Sequence, residues 1–283
     1  GSHMEEGGTR NREEGKMKET TIVVYERPDI YDPIFIEGLP GIGLVGKLAA
    51  EHLIQELKAK KFAELYSPHF MHQVLIRKNS VVELMKNEFY YWKSPDDEHR
   101  DLIIVTGDTQ VPPTDSYGHF EVAGKMLDFV QEFGTREIIT MGGYQVPEIQ
   151  GEPRVLAAVT HEDLIEYYKS KLEGCSVEVI WREDEGGAIV GAAGLLLGIG
   201  KLRGMFGISL LGESLGYIVD AKAAKAVLSA VTKILGLEID MTALDERAKE
   251  TEEILRKVEE MQRAMMEQVT PKLPHEEEDR GYL

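Results

Sequence analysis

Three features that are rare or absent in this sequence of 283 residues limit where the protein can act and what it can bind. It has one cysteine, Cys175, so no disulfide can form within the chain, which predicts a reducing, cytoplasmic location. Long hydrophobic runs are missing, since the longest, residues 188–199, is too short and too rich in glycine to span a bilayer. Basic residues are few, 32 against 50 acidic ones, which gives a formal charge of −18. A surface this acidic repels phosphate backbones, so we expect neither a nucleic-acid nor a membrane partner.

The composition divides the chain into four segments. Residues 1–20 begin with Gly-Ser-His-Met and continue with charged residues, so we predict a tag remnant and a disordered N-terminus. Residues 21–240 are long enough for one sizeable α/β core. Residues 241–269 contain neither Gly nor Pro and are predicted to form one helix, whereas residues 270–283 are predicted to be a flexible acidic tail that ends Gly-Tyr-Leu.

Within the core, short apolar runs alternate with amphipathic helical patterns. Continuous runs such as residues 102–106 and 137–141 are typical of strands that are buried on both faces. Three further runs, residues 73–76, 81–85 and 88–92, predict an antiparallel meander. We therefore expect an α/β fold with an open mixed, largely parallel sheet, helices on both faces and a long C-terminal amphipathic helix.

A glycine-rich turn joins the second predicted strand to the first predicted helix. Its pattern Gly41-x-Gly43-x-x-Gly46 fits a dinucleotide-binding turn, with Glu64 roughly where an acidic ribose ligand belongs. The turn is also similar to a phosphate-binding loop, but Leu48 replaces the Ser or Thr that would bind Mg²⁺. The third interpretation is that the glycines allow close backbone packing. We favour this last interpretation, which predicts no cofactor, and keep a ligand at the turn as an alternative.

A serine-nucleophile pattern follows the strand predicted for residues 206–211. Gly212-x-Ser214-x-Gly216 has the spacing of a nucleophile elbow. However, a helix does not follow at once, and His275 is the only later histidine that could serve as a base. We therefore predict no serine hydrolase.

The other polar candidates also have ordinary structural explanations. His69-x-x-His72 has no further ligand at the spacing of a zinc site, so we expect no metal. Asp108, Asp115 and His119 follow a buried strand, where an α/β site would lie. Because aspartate in such loops commonly forms turns and helix caps, we favour that role and predict no catalytic residues.

The predicted C-terminal helix carries an apolar stripe at spacings of four and three residues. The stripe consists of Ile254, Val258, Met261 and Met265, and Leu244, Ala248 and Leu255 are expected to extend it. In one interpretation this helix packs back on the core of its own chain. In the other it projects from the core and contacts another subunit. Methionine suits an adaptable contact, so we predict that the four stripe residues bind protein.

Five motifs occur in an order that resembles a known family. They are Gly38-Leu39-Pro40-Gly41-Ile42-Gly43-Leu44-Val45-Gly46, Gly107-Asp108-x-Gln110, Gly142-Gly143-Tyr144, Gly194-Leu195-Leu196-Leu197-Gly198 and Leu211-Gly212-Glu213-Ser214-Leu215-Gly216-Tyr217. Together they resemble the archaeal proteasome-assembly-chaperone family, which is similar to the second eukaryotic proteasome assembly chaperone. The resemblance covers about residues 21–237, with Leu215 where proline is expected. It implies an α/β core related in shape to phosphorylase-type folds, without established catalysis, and hence no enzyme.

The resemblance also implies how the protein would act. Archaeal members are homo-oligomers, and some end in a hydrophobic–Tyr–any tripeptide that docks between α-subunits of the proteasome core particle. Here Gly281, Tyr282 and Leu283 occupy these positions, with Gly281 where a hydrophobic residue is expected. The expected function is thus an ATP-independent, homo-oligomeric proteasome-assembly chaperone or activator that docks on the α-ring through its tail.

Two alternatives to tail docking stay open. In the first, the protein is an oligomeric scaffold whose C-terminal helices bind client proteins or a paralogous subunit. In the second, it is an enzyme or a binding protein for a nucleoside-like or phosphorylated ligand at the turn Gly41–Gly46.

Overall fold

A computed structural model of the protein describes residues 17–269, and the expectations for the first sixteen residues and for the tail lie outside this range. The elements of the described part are β1 (Thr21–Val24), β2 (Ile34–Glu37), α1 (Val45–Leu57), β3 (Lys60–Tyr66), β4 (Val74–Ile76), β5 (Val82–Leu84), β6 (Asn87–Trp92), β7 (Leu102–Gly107), α2 (Ser116–Gln131), β8 (Glu137–Gln145), β9 (Val155–Val159), α3 (Leu164–Lys171), β10 (Val179–Trp181), α4 (Ala192–Leu202), β11 (Phe206–Ser214), α5 (Ala221–Leu235) and α6 (Thr242–Val269). Short 3₁₀ turns lie at Ile42–Leu44 and Lys78–Ser80.

Nine of these strands form one sheet in the order β1-β3-β6-β7-β2-β8-β11-β9-β10. The central pairs β7–β2, β2–β8 and β8–β11 are parallel, as is the edge pair β9–β10. The pairs β1–β3, β3–β6, β6–β7 and β11–β9 are antiparallel. The open mixed sheet is therefore confirmed, but the prediction that it is largely parallel is wrong, since four of the eight pairs in this sheet are antiparallel.

Helices cover both faces of the sheet, as predicted. In β7, Leu102 and Ile104 belong to a core cluster that includes α1 and α5, whereas Ile103 and Val105 belong to a second cluster with α2 and α4. Because successive side chains of a strand point to opposite faces, burial on both faces requires the continuous apolar run that the sequence shows.

The antiparallel meander expected from the sequence is wrong in its pairing. Strands β4 and β5 form a separate two-stranded sheet, while β6 lies between β3 and β7 in the main sheet. Strand β8 also differs from its prediction, since it does not end at Gly142 but continues to Gln145. Its pairing with β11, residue by residue, carries the strand through both glycines.

Helix caps formed by aspartate side chains begin two of the helices, and the sequence predicted this role for Asp115. Asp115 accepts a hydrogen bond from the Gly118 amide at 2.8 Å at the start of α2. Asp220 accepts one from the Ala223 amide at 2.9 Å at the start of α5. Each carboxylate satisfies an amide that the helix itself leaves unpaired. None of the helices in residues 17–269 combines the length and the hydropathy needed to cross a bilayer.

Candidate functional site

The first turns of α6 are fixed to the body of the protein. Leu244 is only 3% exposed and packs in the core cluster of α1 and α5. Asp240 accepts hydrogen bonds from the Thr242 hydroxyl at 2.6 Å and the Thr242 amide at 2.9 Å, and these bonds lower the pKa of Asp240. An ion pair of 2.6 Å between Lys225 and Asp245 adds a contact to α5. The base of the helix therefore has a defined position.

Beyond Leu255, α6 leaves the body, and every residue from 256 to 269 is exposed. At a rise of 1.5 Å per residue, this exposed part is about 20 Å long. The predicted contact residues are mostly exposed, Ile254 by 62%, Val258 by 44%, Met261 by 64% and Met265 by 61%. Within the described chain the helix therefore projects, and the role of the stripe in protein binding stays a prediction.

The prediction that Leu244, Ala248 and Leu255 extend this stripe is wrong. At 3.6 residues per turn, the mean direction of these three side chains lies about 90° around the helix axis from the mean direction of the four stripe residues. The three side chains face the body, where Leu244 is buried and Ala248 and Leu255 line a cleft. The stripe is thus a second apolar surface, separate from the one that α6 uses within its own chain.

An apolar cleft lies at the base of the projecting part of α6. Its volume is about 280 Å³, and one wall consists of residues 215–218, which follow β11. Tyr217 and Ile218 in this wall are exposed. The cleft and the stripe thus both expose apolar side chains on the C-terminal side of the protein, as surfaces that bind other proteins commonly do.

A further apolar surface, which the sequence interpretation missed, lies on the β4–β5 hairpin. Its four exposed aliphatic side chains are Val74, Ile76, Val82 and Leu84. Val74 pairs with Leu84 and Ile76 with Val82, so all four share one face of the hairpin. The alternation of Val82, Glu83 and Leu84 was the signal that could have identified it, whereas residues 74–76 are a continuous apolar run.

The predicted docking residues Gly281, Tyr282 and Leu283 lie outside the described residues. Their role in binding a partner therefore stays a prediction from the sequence.

The glycine-rich turn serves close packing of α1 on the sheet. A Cβ atom at Gly46 would lie 2.4 Å from the carbonyl oxygen of Met141 in β8. A Cβ atom at Gly38 would lie 2.2 Å from the carbonyl oxygen of Gly46, and Gly43 has a φ of +60°. These contacts leave no room for side chains, so they explain the glycines without a bound phosphate.

Glu64 does not lie beside this turn, as the dinucleotide interpretation required. It lies in β3, which β6 and β7 separate from β2. There it accepts a hydrogen bond from the Tyr25 hydroxyl and contacts Lys86 at 3.4 Å. The pattern therefore lacks its acidic partner, and the dinucleotide interpretation is wrong.

The serine of the predicted elbow is part of a turn. Ser214 is buried, donates a hydrogen bond to Asp220 at 2.7 Å and accepts one from the Gly216 amide at 3.1 Å. These two bonds join the end of β11 to the start of α5. The arrangement explains Ser214 and Gly216 without a nucleophilic role.

His69 lies between two carboxylates. Its Nδ1 is 2.7 Å from Asp115 and its Nε2 is 2.8 Å from Glu121. Burial lowers the pKa of His69, but the two hydrogen bonds outweigh burial, so the net effect raises it. The structure does not bring Asp108 into this group, since that side chain pairs with Arg77 at 2.9 Å. No group of three His, Cys, Asp or Glu residues within 17–269 has the arrangement of a metal site.

Comparison with known proteins gives one family and several similar structures. The model of the PAC2 family matches residues 35–259. An uncharacterised protein of Methanocaldococcus jannaschii is 37% identical over 262 residues, which are 93% of this chain and 96% of that one. Pyrococcus furiosus PbaA, described as an archaeal homolog of proteasome-assembly chaperone, is 26% identical, with a TM-score of 0.68 over 89% of this chain and 98% of that chain. A Thermoplasma acidophilum protein of unknown function, 20% identical, has the same fold, with a TM-score of 0.62 over 84% of this chain and 90% of that one.

Proposed function

This chain belongs to the PAC2 family, and we propose that it is an ATP-independent, homo-oligomeric proteasome-assembly chaperone or activator. The observation that carries the proposal is the exposed apolar stripe on a projecting helix, in a fold similar to that of PbaA. The packed glycine turn, and Leu48 in place of a Mg²⁺-binding hydroxyl, support the absence of a nucleotide from this mechanism.

Association of copies through α6 is the first step of the mechanism. Full burial of one large apolar side chain stabilises by about 1.5–3 kcal/mol, so burial of the exposed half of each stripe residue contributes roughly 1 kcal/mol. Two helices with four such residues each would together gain about 8 kcal/mol of binding free energy from apolar burial. Association costs roughly 4–15 kcal/mol because the two chains lose translational and rotational freedom. The cleft at the base of α6 or the hairpin face would therefore have to join the interface in a stable oligomer.

Docking on the α-ring of the proteasome core particle is the second step. The Tyr282 ring would be buried and its hydroxyl would donate a hydrogen bond, while the Leu283 carboxylate would pair with a cation of an α-subunit. The fourteen residues after Val269 can reach at most about 50 Å. Gly281 supplies no apolar contact, so one tail binds weakly. Several tails on one oligomer would bind together, because the first contact raises the effective concentration of the others to about millimolar.

Removal of residues 281–283 tests this mechanism. Binding to purified proteasome α-subunits, measured by surface plasmon resonance, should be lost because the Tyr282 ring is gone and the terminal carboxylate now lies on Arg280, three residues nearer to the body. The number of chains in the oligomer should not change. The matched control is Arg280→Ala, which keeps the tripeptide and should keep most of the binding. If the truncated protein binds as well as the intact one, the tail does not dock.

A second candidate function is a scaffold that holds client proteins or a paralogous subunit through α6. The exposure of Met261 and Met265 in the single chain favours it. In this case Met261→Glu and Met265→Glu should abolish client binding, while removal of the tail tripeptide should leave it intact. Gln262→Glu adds the same charge at an exposed position outside the stripe and serves as the control. Client binding that survives both methionine substitutions excludes this candidate.

A further inference from the structure

A cavity of about 430 Å³ lies at the centre of the sheet, where the parallel strands end. Its walls come from the ends of β2 and β8, the loop after β7 and residues 188–191, which precede α4. Open α/β sheets bind ligands outside the carboxyl ends of their strands, and this volume suits a small organic molecule. The cavity shares no lining residue with the cleft at α6, so the docking mechanism does not use it.

The walls of this cavity are mostly apolar and include one histidine, His119, whose Nε2 donates a hydrogen bond to the Pro112 carbonyl at 3.2 Å. Among the described residues that line it, there is neither a lysine nor an arginine. The apolar lining residues include Leu39, Ile42, Val111, Met141, Ile189 and Leu211. A phosphate would find no lysine or arginine to balance its charge here, whereas an uncharged ring would find apolar contact on several sides.

One acidic side chain, Glu37, belongs to the floor of the cavity. It is the last residue of β2 and is only 1% exposed. Its Oε1 accepts a hydrogen bond from the Leu39 amide at 3.1 Å, but no group in residues 17–269 pairs with Oε2. Burial raises the pKa of Glu37 to about 8, so the carboxyl is protonated at neutral pH and can donate. A buried polar atom without a partner is rare in folded proteins and calls for an explanation.

The backbone supplies further polar groups beside Glu37. Strand β2 ends at Glu37, opposite Thr140, whereas β8 continues to Gln145 with β11 as its only remaining partner. The β2 side of residues 141–144 therefore has no strand to pair with, and these residues line the cavity. Such an edge offers peptide N–H and C=O groups in fixed positions.

We propose that this cavity binds a small uncharged heterocycle that carries a hydrogen-bond acceptor next to a donor. The acceptor receives a hydrogen bond from the Glu37 carboxyl O–H, and the donor gives a hydrogen bond to a carbonyl on the free edge of β8. The ring fills the apolar space between these groups. Phosphorylated ligands are disfavoured because the described walls hold neither lysine nor arginine, which distinguishes this site from the phosphate-binding turn that the sequence pattern suggested.

Three probes of similar size test the proposal by isothermal titration calorimetry at pH 7. Benzimidazole has an acceptor and a donor, indole has a donor only, and benzoate is an anion. Because a neutral hydrogen bond is worth roughly a factor of ten at most, benzimidazole should bind up to about tenfold more tightly than indole. Benzoate should not bind. Equal affinity for the three probes, or no binding of benzimidazole at millimolar concentration, would overturn the proposal.

Two variants locate the binding in the cavity. Ala188 is exposed at its rim, so Ala188→Trp should block entry and weaken benzimidazole binding at least tenfold without disturbing the core. Leu202→Trp changes an exposed residue that does not line the cavity and should leave the affinity unchanged. Unaltered binding by Ala188→Trp would place the probe elsewhere and refute the site.

Substitution of Glu37 tests its part in recognition. Glu37→Leu should reduce benzimidazole affinity to that of indole, because the ring nitrogen then has no donor. Glu37→Gln keeps a donor in the same place and should retain most of the affinity; it also provides the test if the leucine variant does not fold. A Glu37→Gln protein that folds but binds benzimidazole no better than indole would contradict the assignment.

Discussion

Glu37 should make the stability of this protein depend on pH, and one substitution should remove the effect. The side chain is buried at the end of β2, and its pKa is raised from 4.5 to about 8 because burial disfavours the charged form. Glu37→Gln keeps the shape and the acceptor for the Leu39 amide but cannot ionise. The difference between the two proteins therefore isolates the titration of this one group.

The sign and size of the effect follow from proton linkage. Between pH 4.5 and about 8, the folded protein holds a proton on Glu37 that the unfolded chain has released. Raising the pH therefore lowers the free energy of unfolding, by about 1.4 kcal/mol per pH unit. Across the whole interval the loss is about 5 kcal/mol, and the stabilisation is fully present below pH 4.5.

Urea unfolding at several pH values between 5 and 8, at one protein concentration, measures this difference. Relative to Glu37→Gln, the wild-type protein should lose stability steadily as the pH rises. Glu137 is also buried and His119 also lines the cavity, but both are present in the two proteins, so their contributions cancel. Glu183→Gln, at an exposed position, is the control and should show no such slope. A constant difference between wild type and Glu37→Gln would refute the buried, protonated carboxyl.

Three further predictions concern packing and charge. Gly46→Ala should lower the free energy of unfolding by about 1–3 kcal/mol, because its Cβ would lie 2.4 Å from the Met141 carbonyl oxygen, whereas Gly198→Ala, with open space around it, should cost nothing. Leu244→Ala should lower the free energy of unfolding by about 2–5 kcal/mol in the same assay, because it leaves a cavity under α6. An NMR titration should give the His69 imidazole a pKa above its ordinary value. The protonated imidazole stabilises the folded protein, so this contribution to the free energy of unfolding should be lost as the pH rises through the raised pKa. An ordinary titration of His69 would contradict the contacts with its two carboxylates.

Elements with local signals were predictable from the sequence. The apolar runs of β7 and β8 predict strands that are covered on both faces. Asp115 was predictable as a helix cap because its partner, the Gly118 amide, lies only three residues away. Strand β3 gave no such signal, since its exposed Lys60 and Lys61 precede only a short apolar run. Its pairing with β1 and β6 joins residues that lie far apart in the sequence, and no local sequence pattern predicts such pairing.

The candidate site was predictable only in part, for a similar reason. The spacing of Ile254 and Met261 reveals an apolar stripe, but it cannot tell which face of α6 the body occupies, so Leu244 was assigned to the wrong face. Burial of Glu37 depends on β7 and β8, which lie far along the chain. The cavity beside it therefore could not be inferred from the turn Gly41–Gly46 alone.

The most direct test of the proposed function is a native mass spectrum of the protein alone and with proteasome α-subunits. For the protein alone we expect a mass that is a multiple of the chain mass of 31.7 kDa. With α-subunits present we expect a heavier complex that no longer forms when residues 281–283 are removed. A single chain at 31.7 kDa, or α-subunit binding that survives this truncation, would contradict the proposed function.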